Sequence, residues 1–106
     1  MWLVNLDPTQ GREQAGTRPA LVLSVDKFND GPADLVVILP ITSRDKRIAS
    51  HVQVNPPMGG LGLVSFIKCE EVRCISKRRC IRLLGTVDSK VMAEVGFKVA
   101  AILGLP

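Results

Sequence analysis

Apolar and polar residues alternate along most of this chain with the two-residue period of half-buried strands. Trp2, Val4 and Leu6 share one face of the first such segment, 2–6. Further strands are predicted at 18–24, at 35–39, at 50–54, at 63–69 continuing or bending into 72–75, and at 80–84. The run 35–39 is apolar throughout, so it is predicted to be central and to end at Pro40.

Near the C-terminus, the spacing between apolar residues changes from two residues to three and four. Val95 and Val99 belong to an apolar stripe that predicts a helix over 89–103, with Asp88 as N-cap and Gly104 at its end. Gly96 is expected to mark close approach to another backbone. Several short strands followed by one helix predict a mainly β fold, a small curved antiparallel barrel with a C-terminal helix across one mouth.

Length and composition narrow the class of protein. The chain of 106 residues is predicted to be a single domain, 1–106, without a transmembrane segment or secretory signal, so no membrane association is expected. Its mean hydropathy of +0.23 is high for a small soluble monomer and favours a homodimer. Three cysteines without a C-x-x-C pair indicate buried, reduced thiols and a cytoplasmic location rather than a disulfide framework.

The net charge of +4 suits a polyanionic partner. Basic residues cluster at 44–47 and at 73–82. These clusters indicate either two solvated charged faces or a positively charged surface that binds nucleic acid. The only histidine is His51, and the cysteine spacings match no common zinc site, so no metal or cofactor is expected.

Arg18 lies where a glycine-bearing polar loop meets an apolar strand. Pro19 restricts the backbone of Arg18 to extended geometry, so the guanidinium is presented from the rim of a sheet, where it suits a phosphate. The simpler alternative is a surface arginine at a strand start.

Other polar residues lie at predicted strand ends. Thr42 and Ser43 follow the central strand, and Lys68 and Glu70, two residues apart in a strand, are expected to share one face. If the second, third and fifth strands are neighbours, these side chains and Arg18 line one groove.

Such a set suits RNA cleavage, because RNA carries its own nucleophile, the 2′-hydroxyl. An arginine and a hydroxyl donor can orient the reacting groups and stabilise the phosphorane charge without metal. Glu70 is a possible but weak general base. The chain has no P-loop, and its single histidine and lack of a nucleophile motif argue against a serine or cysteine hydrolase.

Several motifs resemble the MazF/PemK family of toxin endoribonucleases from type II toxin–antitoxin systems. They are the segments 2–9, 11–24, 40–43 (Pro-Ile-Thr-Ser), 70–75, 84–87 and 103–105. The resemblance implies an SH3-like β-barrel, a homodimer and a cognate antitoxin. It also implies metal-independent cleavage of single-stranded RNA at short sequences, giving 2′,3′-cyclic phosphate and 5′-hydroxyl ends.

The resemblance also implies residue roles. Arg18 matches the catalytic arginine and Thr42 the catalytic hydroxyl. Positions resembling the substrate groove are Glu13, Gln14, Ser43, His51, Lys68 and Glu70. His51 is predicted to point outward from its strand, and a merely exposed strand histidine is an equal alternative.

Two other functions stay open: a topoisomerase (gyrase) poison of the same barrel superfamily, and a non-catalytic RNA-binding module. Because a poison needs neither Arg18 nor Thr42, their joint presence favours the nuclease. The basic tract 77–82 is denser than the family pattern and is expected to bind RNA backbone or an acidic antitoxin segment.

Overall fold

The computed structural model describes residues 1–7 and 16–106. Glu13 and Gln14, two of the predicted groove residues, therefore lie outside the described residues. The elements are β1 (Trp2–Asn5), β2 (Thr17–Val22), α1 (Asp26–Asn29), β3 (Leu35–Thr42), β4 (His51–Val54), β5 (Ser65–Lys68), β6 (Arg73–Ser76), β7 (Cys80–Leu83) and α2 (Ser89–Leu103). Short 3-10 turns occur at Met58–Gly60, Cys69–Glu71 and Lys77–Arg79.

The strands form one antiparallel sheet in the order β4-β5-β3-β2-β1-β7, with β6 also paired to β3. This confirms the predicted mainly β class, and it meets the condition that the second, third and fifth strands are neighbours, with β3 between β2 and β5. The sheet is open rather than a closed barrel, since within the described residues no ladder joins its two end strands.

One long strand, β3, organises the sheet and extends beyond its predicted end at Pro40. One edge of β3 pairs with β6 over 35–38 and with β5 at Ile41 and Thr42. The register shifts by three residues between these ladders, and the 3-10 turn Cys69–Glu71 fills the gap. Pro40 is tolerated because it lies at this gap, where its missing N–H breaks no ladder bond on that edge.

Two apolar clusters lie on opposite faces of the sheet. One includes Ile41, Ile67 and Val52 and is covered by Val95 and Val99 of α2. The other contains side chains of β1, β2, β3 and β6 together with Leu6, which directly follows β1: Val4, Leu6, Ala20, Val36, Ile38 and Ile75. Strand residues therefore alternate between two buried environments, which is why the strands are so rich in aliphatic side chains.

Helix α2 begins and ends as its sequence predicts. The Asp88 carboxylate accepts a hydrogen bond from the Val91 N–H at 2.8 Å, and Gly104 adopts the left-handed conformation with φ of 67°. The expected close approach at Gly96 is wrong within this chain, because a Cβ built there meets no atom within 4 Å. In the described part of the chain, no helix combines the length and apolarity needed to span a membrane.

Candidate functional site

Arg18 and Thr42 lie on neighbouring strands at the same end of the sheet. The β2–β3 ladder pairs Ala20 with Pro40. Continuing that register by two residues brings Arg18 level with Thr42, and side chains directly opposite in an antiparallel pair share a face. Their proximity therefore follows from the strand register rather than from a loop.

Both residues line a cleft of about 460 Å³. Its cationic side chains are Arg18, Arg44, Lys46 and Lys68, and no carboxylate or imidazole is among the described residues that line it. Ser43 and Ser65 add hydroxyls. A concave surface with this charge suits an anionic ligand.

The Thr42 hydroxyl has a defined position. Its Oγ1 accepts a hydrogen bond from the backbone N–H of Arg44 at 3.2 Å. A hydroxyl has one donor and two acceptor sites, so this bond leaves the Thr42 proton to be donated to a ligand. The same turn directs the chain carrying Arg44 and Lys46 around the cleft.

Part of the cleft lining is apolar, and this part is called the apolar wall. It consists of Ile41, Leu61 and Leu63, and Leu63 is 66% exposed. Gly60, which directly precedes Leu61 of this wall, packs against the backbone of Leu84. A Cβ at Gly60 would lie 1.9 Å from the Leu84 carbonyl oxygen. The apolar wall is thus anchored by a backbone contact that only glycine permits.

Lys68 differs from the other cations of the cleft. It is 5% exposed, whereas Arg18, Arg44 and Lys46 are exposed. Its Nζ lies 2.8 Å from Glu71 Oε2. The predicted partnership with Glu70 on a strand face is wrong, because the chain leaves β5 after Lys68 and enters the turn Cys69–Glu71.

Glu70 turns toward the start of β4. Its carboxylate accepts a hydrogen bond from Ser50 Oγ at 2.7 Å and contacts His51 Nε2 at 2.9 Å. His51 is 8% exposed, so the predicted outward-facing histidine is wrong. Neither His51 nor Glu70 is among the described residues that line the cleft, and their predicted role in substrate binding stays a prediction.

The environment of Glu70 makes it a weak base. Burial raises its pKa, but hydrogen bonds from Ser50, its own backbone N–H and His51 outweigh burial and hold the pKa below the ordinary value of 4.5. A base that is more acidic than usual is poorly matched to proton transfer near neutral pH.

The three cysteines are free thiols, but the prediction that all are buried is wrong, because Cys69 is buried, Cys80 is half-buried and Cys74 is exposed. Burial raises the pKa of Cys69 to about 11, so this neighbour of Lys68 is protonated at neutral pH. Its thiol is therefore a packing group rather than a nucleophile.

Acidic residues and backbone oxygens already engage the basic tract 77–82. Lys77 Nζ lies 3.3 Å from Asp30 Oδ1, and Arg78 Nε lies 3.6 Å from Asp34 Oδ2. Arg79 donates to the carbonyl oxygens of Asn5 and Asp7. The tract is not among the described residues lining the cleft, so its predicted contact with a polyanion is not supported by this arrangement.

The fold and the cleft together define a small, mainly β protein with a cationic cleft at one end of an open sheet. A family described as "PemK-like, MazF-like toxin of type II toxin-antitoxin system" matches residues 1–103. The chain belongs to this toxin family, which confirms the resemblance drawn from its motifs.

Curated relatives and solved structures agree with this assignment. The chain is 35% identical over 106 residues to endoribonuclease PemK of Escherichia coli, covering 97% of this chain and 78% of that protein. It is 32% identical over 107 residues to endoribonuclease MazF of Staphylococcus saprophyticus, covering 99% and 88%. The crystal structure of MazF from Deinococcus radiodurans superimposes with a TM-score of 0.87 at 32% identity, covering 98% and 92%. These relatives confirm the predicted toxin endoribonuclease family.

Sequence reasoning missed part of the site. It noted Arg44 and Lys46 only as a basic cluster, and it singled out neither Leu63 nor Glu71 as a site residue. No sequence signal distinguishes Glu71 from Glu70, since their different partners depend on the 3-10 turn that carries them.

Proposed function

We propose that this protein is an endoribonuclease that cleaves single-stranded RNA at short sequences without a metal ion. The 2′-hydroxyl attacks the adjacent phosphorus, the bond to the 5′-oxygen breaks, and the products carry a 2′,3′-cyclic phosphate and a 5′-hydroxyl. The observation that carries this proposal is that Arg18 and Thr42 line one cleft.

Each of these residues has a chemical role in the proposal. The Arg18 guanidinium stabilises the extra negative charge of the phosphorane, and the Thr42 hydroxyl donates to a non-bridging phosphate oxygen. Because the described lining includes no carboxylate or imidazole, most of the rate enhancement is assigned to orientation and charge stabilisation.

Arg44 and Lys46 provide charge for the phosphates that flank the reacting one. Both are exposed lining residues on the segment that follows Thr42. Ser43 is the remaining predicted groove residue in this part of the cleft, and we assign it to substrate binding. A single strand fits this site better than a duplex, because its bases can reach the apolar wall at Leu63.

We also propose that a cognate antitoxin covers this cleft and that the toxin is a homodimer. A structure of a MazE–MazF complex from Deinococcus radiodurans superimposes on this chain with a TM-score of 0.77 at 29% identity, covering 99% of this chain and 90% of that chain. An acidic antitoxin segment would complement the cations of the cleft.

The proposed activity is tested with a long single-stranded RNA in EDTA. Arg18→Ala and Thr42→Ala should each slow cleavage by about 10²–10³-fold, the usual cost of losing one transition-state donor. Arg82→Ala and Thr86→Ala, which alter exposed residues outside the cleft lining, are the matched controls and should cleave normally.

The other outcomes separate the remaining functions. Intact RNA with stalled gyrase would favour a topoisomerase poison. Tight RNA binding without cleavage would favour a non-catalytic binding module. Cleavage that survives in both cleft variants would overturn the assignment of Arg18 and Thr42.

A further inference from the structure

The cleft contains two kinds of cation, and the difference between them points to two kinds of contact. Arg18, Arg44 and Lys46 are exposed, whereas Lys68 is 5% exposed. Exposed cations bind phosphates by charge and release counterions. A buried ammonium keeps its charge only if a partner compensates it.

That partner is a carboxylate from the same chain. Glu71 Oε2 lies 2.8 Å from Lys68 Nζ, and the Glu71 side chain is 31% exposed. The pair follows from the three-residue shift between the β5 and β6 ladders, which places Cys69–Glu71 in a turn and brings Glu71 back toward Lys68. Because the two charges cancel, Lys68 adds little net positive charge to the cleft.

An ammonium has three N–H donors, and one bond to Glu71 leaves others available. Lys68 also lines the cleft together with the apolar residues Leu61 and Leu63. A neutralised donor beside an apolar wall suits an uncharged, flat ligand group with a carbonyl oxygen. In a nucleotide, that group is a base with a keto oxygen.

We infer that Lys68, positioned by Glu71, determines base specificity by donating a hydrogen bond to a keto oxygen and does not bind a phosphate. This inference rests on the proposed function, because it requires the cleft to hold single-stranded RNA. Uracil carries keto oxygens and adenine carries none, so these two bases provide the comparison.

The central variant is Lys68→Met/Glu71→Gln, which removes both charges and leaves the net charge of the cleft unchanged. Replacing both partners of a buried pair is tolerated far better than replacing one. Lys77→Met/Asp30→Asn is the matched control, since it removes another ion pair, with an N–O distance of 3.3 Å, outside the cleft lining.

Binding is measured with fluorescent 2′-fluoro RNA decamers of uridine or adenosine, which lack the attacking hydroxyl, across a range of salt concentrations. For Lys68→Met/Glu71→Gln, we expect the salt dependence to stay at the wild-type value. Affinity for the uridine decamer should fall about tenfold, as for one lost hydrogen bond from a charged donor, and the uridine preference over adenosine should disappear.

A second variant, Glu71→Gln, tests the compensation itself. With Glu71 neutral, a phosphate of the RNA becomes the anion that compensates the Lys68 ammonium, so Lys68 should then bind phosphate. The slope of log affinity against log salt should steepen by about 0.7, the value for one added contact to a single strand. Circular dichroism and thermal unfolding establish that each variant is folded.

Three results would overturn the inference. One is a shallower salt slope in Lys68→Met/Glu71→Gln, which would mean that Lys68 contacts phosphate. The second is a uridine preference that survives in that variant, and the third is a slope that Glu71→Gln leaves unchanged. If the wild type cleaves the long RNA but binds neither decamer, the assignment of Lys68 falls and the proposed function stands; if it neither cleaves nor binds RNA, both fall.

Discussion

Glu70 and Glu71 are neighbours in sequence, yet they act on different parts of the molecule. Glu70 contacts Ser50 and His51 at the start of β4, whereas Glu71 contacts Lys68 in the cleft. The first carboxylate therefore interacts with residues outside the described cleft lining, and the second pairs with a cation that lines the cleft.

The lowered pKa of Glu70 makes part of the stability depend on pH. A carboxyl whose pKa is lower in the folded state stabilises the fold above its unfolded pKa, near 4.5, and loses that effect as pH falls through its folded pKa. Because the Glu70 side chain is 35% exposed, the contribution at neutral pH should be about 1 kcal/mol or less.

Urea unfolding of wild type and Glu70→Gln from pH 7 to pH 2 measures this contribution. The difference between their free energies of unfolding should be largest near pH 7 and vanish in acid. Glu94→Gln on α2 changes the net charge equally and serves as the control. A Glu70→Gln difference that does not vary with pH would contradict the prediction.

The tertiary environment of individual residues was only partly predictable. The positions of Arg18 and Thr42 near strand ends were predicted, because Pro19 and the end of an apolar run mark them in the sequence. The burial of His51 was not found, because it depends on Glu70, nineteen positions away, and on Lys98 of α2, whose Nζ donates to the His51 carbonyl at 3.0 Å.

The turn Met58–Gly60 connects the cleft wall to the body of the sheet. Gly60 has φ of +70°, and a Cβ there would lie 1.9 Å from the Leu84 carbonyl oxygen. The Gly59 N–H donates to the Thr86 carbonyl at 2.9 Å, which also holds this turn against the segment 84–86. Because the contact at Gly60 is between two backbone segments, no flexible side chain could move aside to admit a Cβ.

Gly60→Ala should therefore destabilise the protein by about 2–4 kcal/mol, because it combines backbone strain with a backbone clash. Gly62→Ala is the matched control: a Cβ there meets nothing within 4 Å, so its effect should stay within about 0.5 kcal/mol. Urea unfolding measures both. Equal stability of the two variants would contradict this prediction, because it would mean that the backbone at Leu84 moves to accommodate the added Cβ at little energetic cost.

Strand and helix positions followed the sequence pattern closely, and the exceptions occur where two elements meet. Helix α2 has the predicted bounds because its caps are local. Strand β3 passes through Pro40 because the β5–β6 edge leaves a gap there, which no local pattern can reveal. The extension holds Thr42 in a strand rather than a loop.

Apolar side chains remain on the outer surface of the folded chain. Phe97 on α2 is 75% exposed, and Ile81 and Leu83 on β7 are 55% and 56% exposed. Gly96, beside Phe97, faces open space within this chain. The proposed homodimer would cover part of this surface and remove it from water.

Sedimentation velocity tests this arrangement with Phe97→Glu. Wild type should sediment as a dimer at micromolar concentration, and Phe97→Glu should shift the population toward monomer because it places a charge in an apolar contact. Val25→Glu, at a side chain that is 69% exposed and precedes α1, should leave the dimer intact. A wild-type monomer would contradict the homodimer, and a dimeric Phe97→Glu would exclude α2 from the interface.

The sequence by itself determined the mainly β class, the bounds and caps of α2, and the family motifs that contain Arg18 and Thr42. These features follow from local period, proline and glycine positions and short motifs. Only the tertiary structure decided that the sheet stays open, that β3 continues past Pro40 and that Glu71 rather than Glu70 partners Lys68. Each of these depends on the register between strands that are distant in sequence, and register is set by long-range packing that residue types along one segment do not encode.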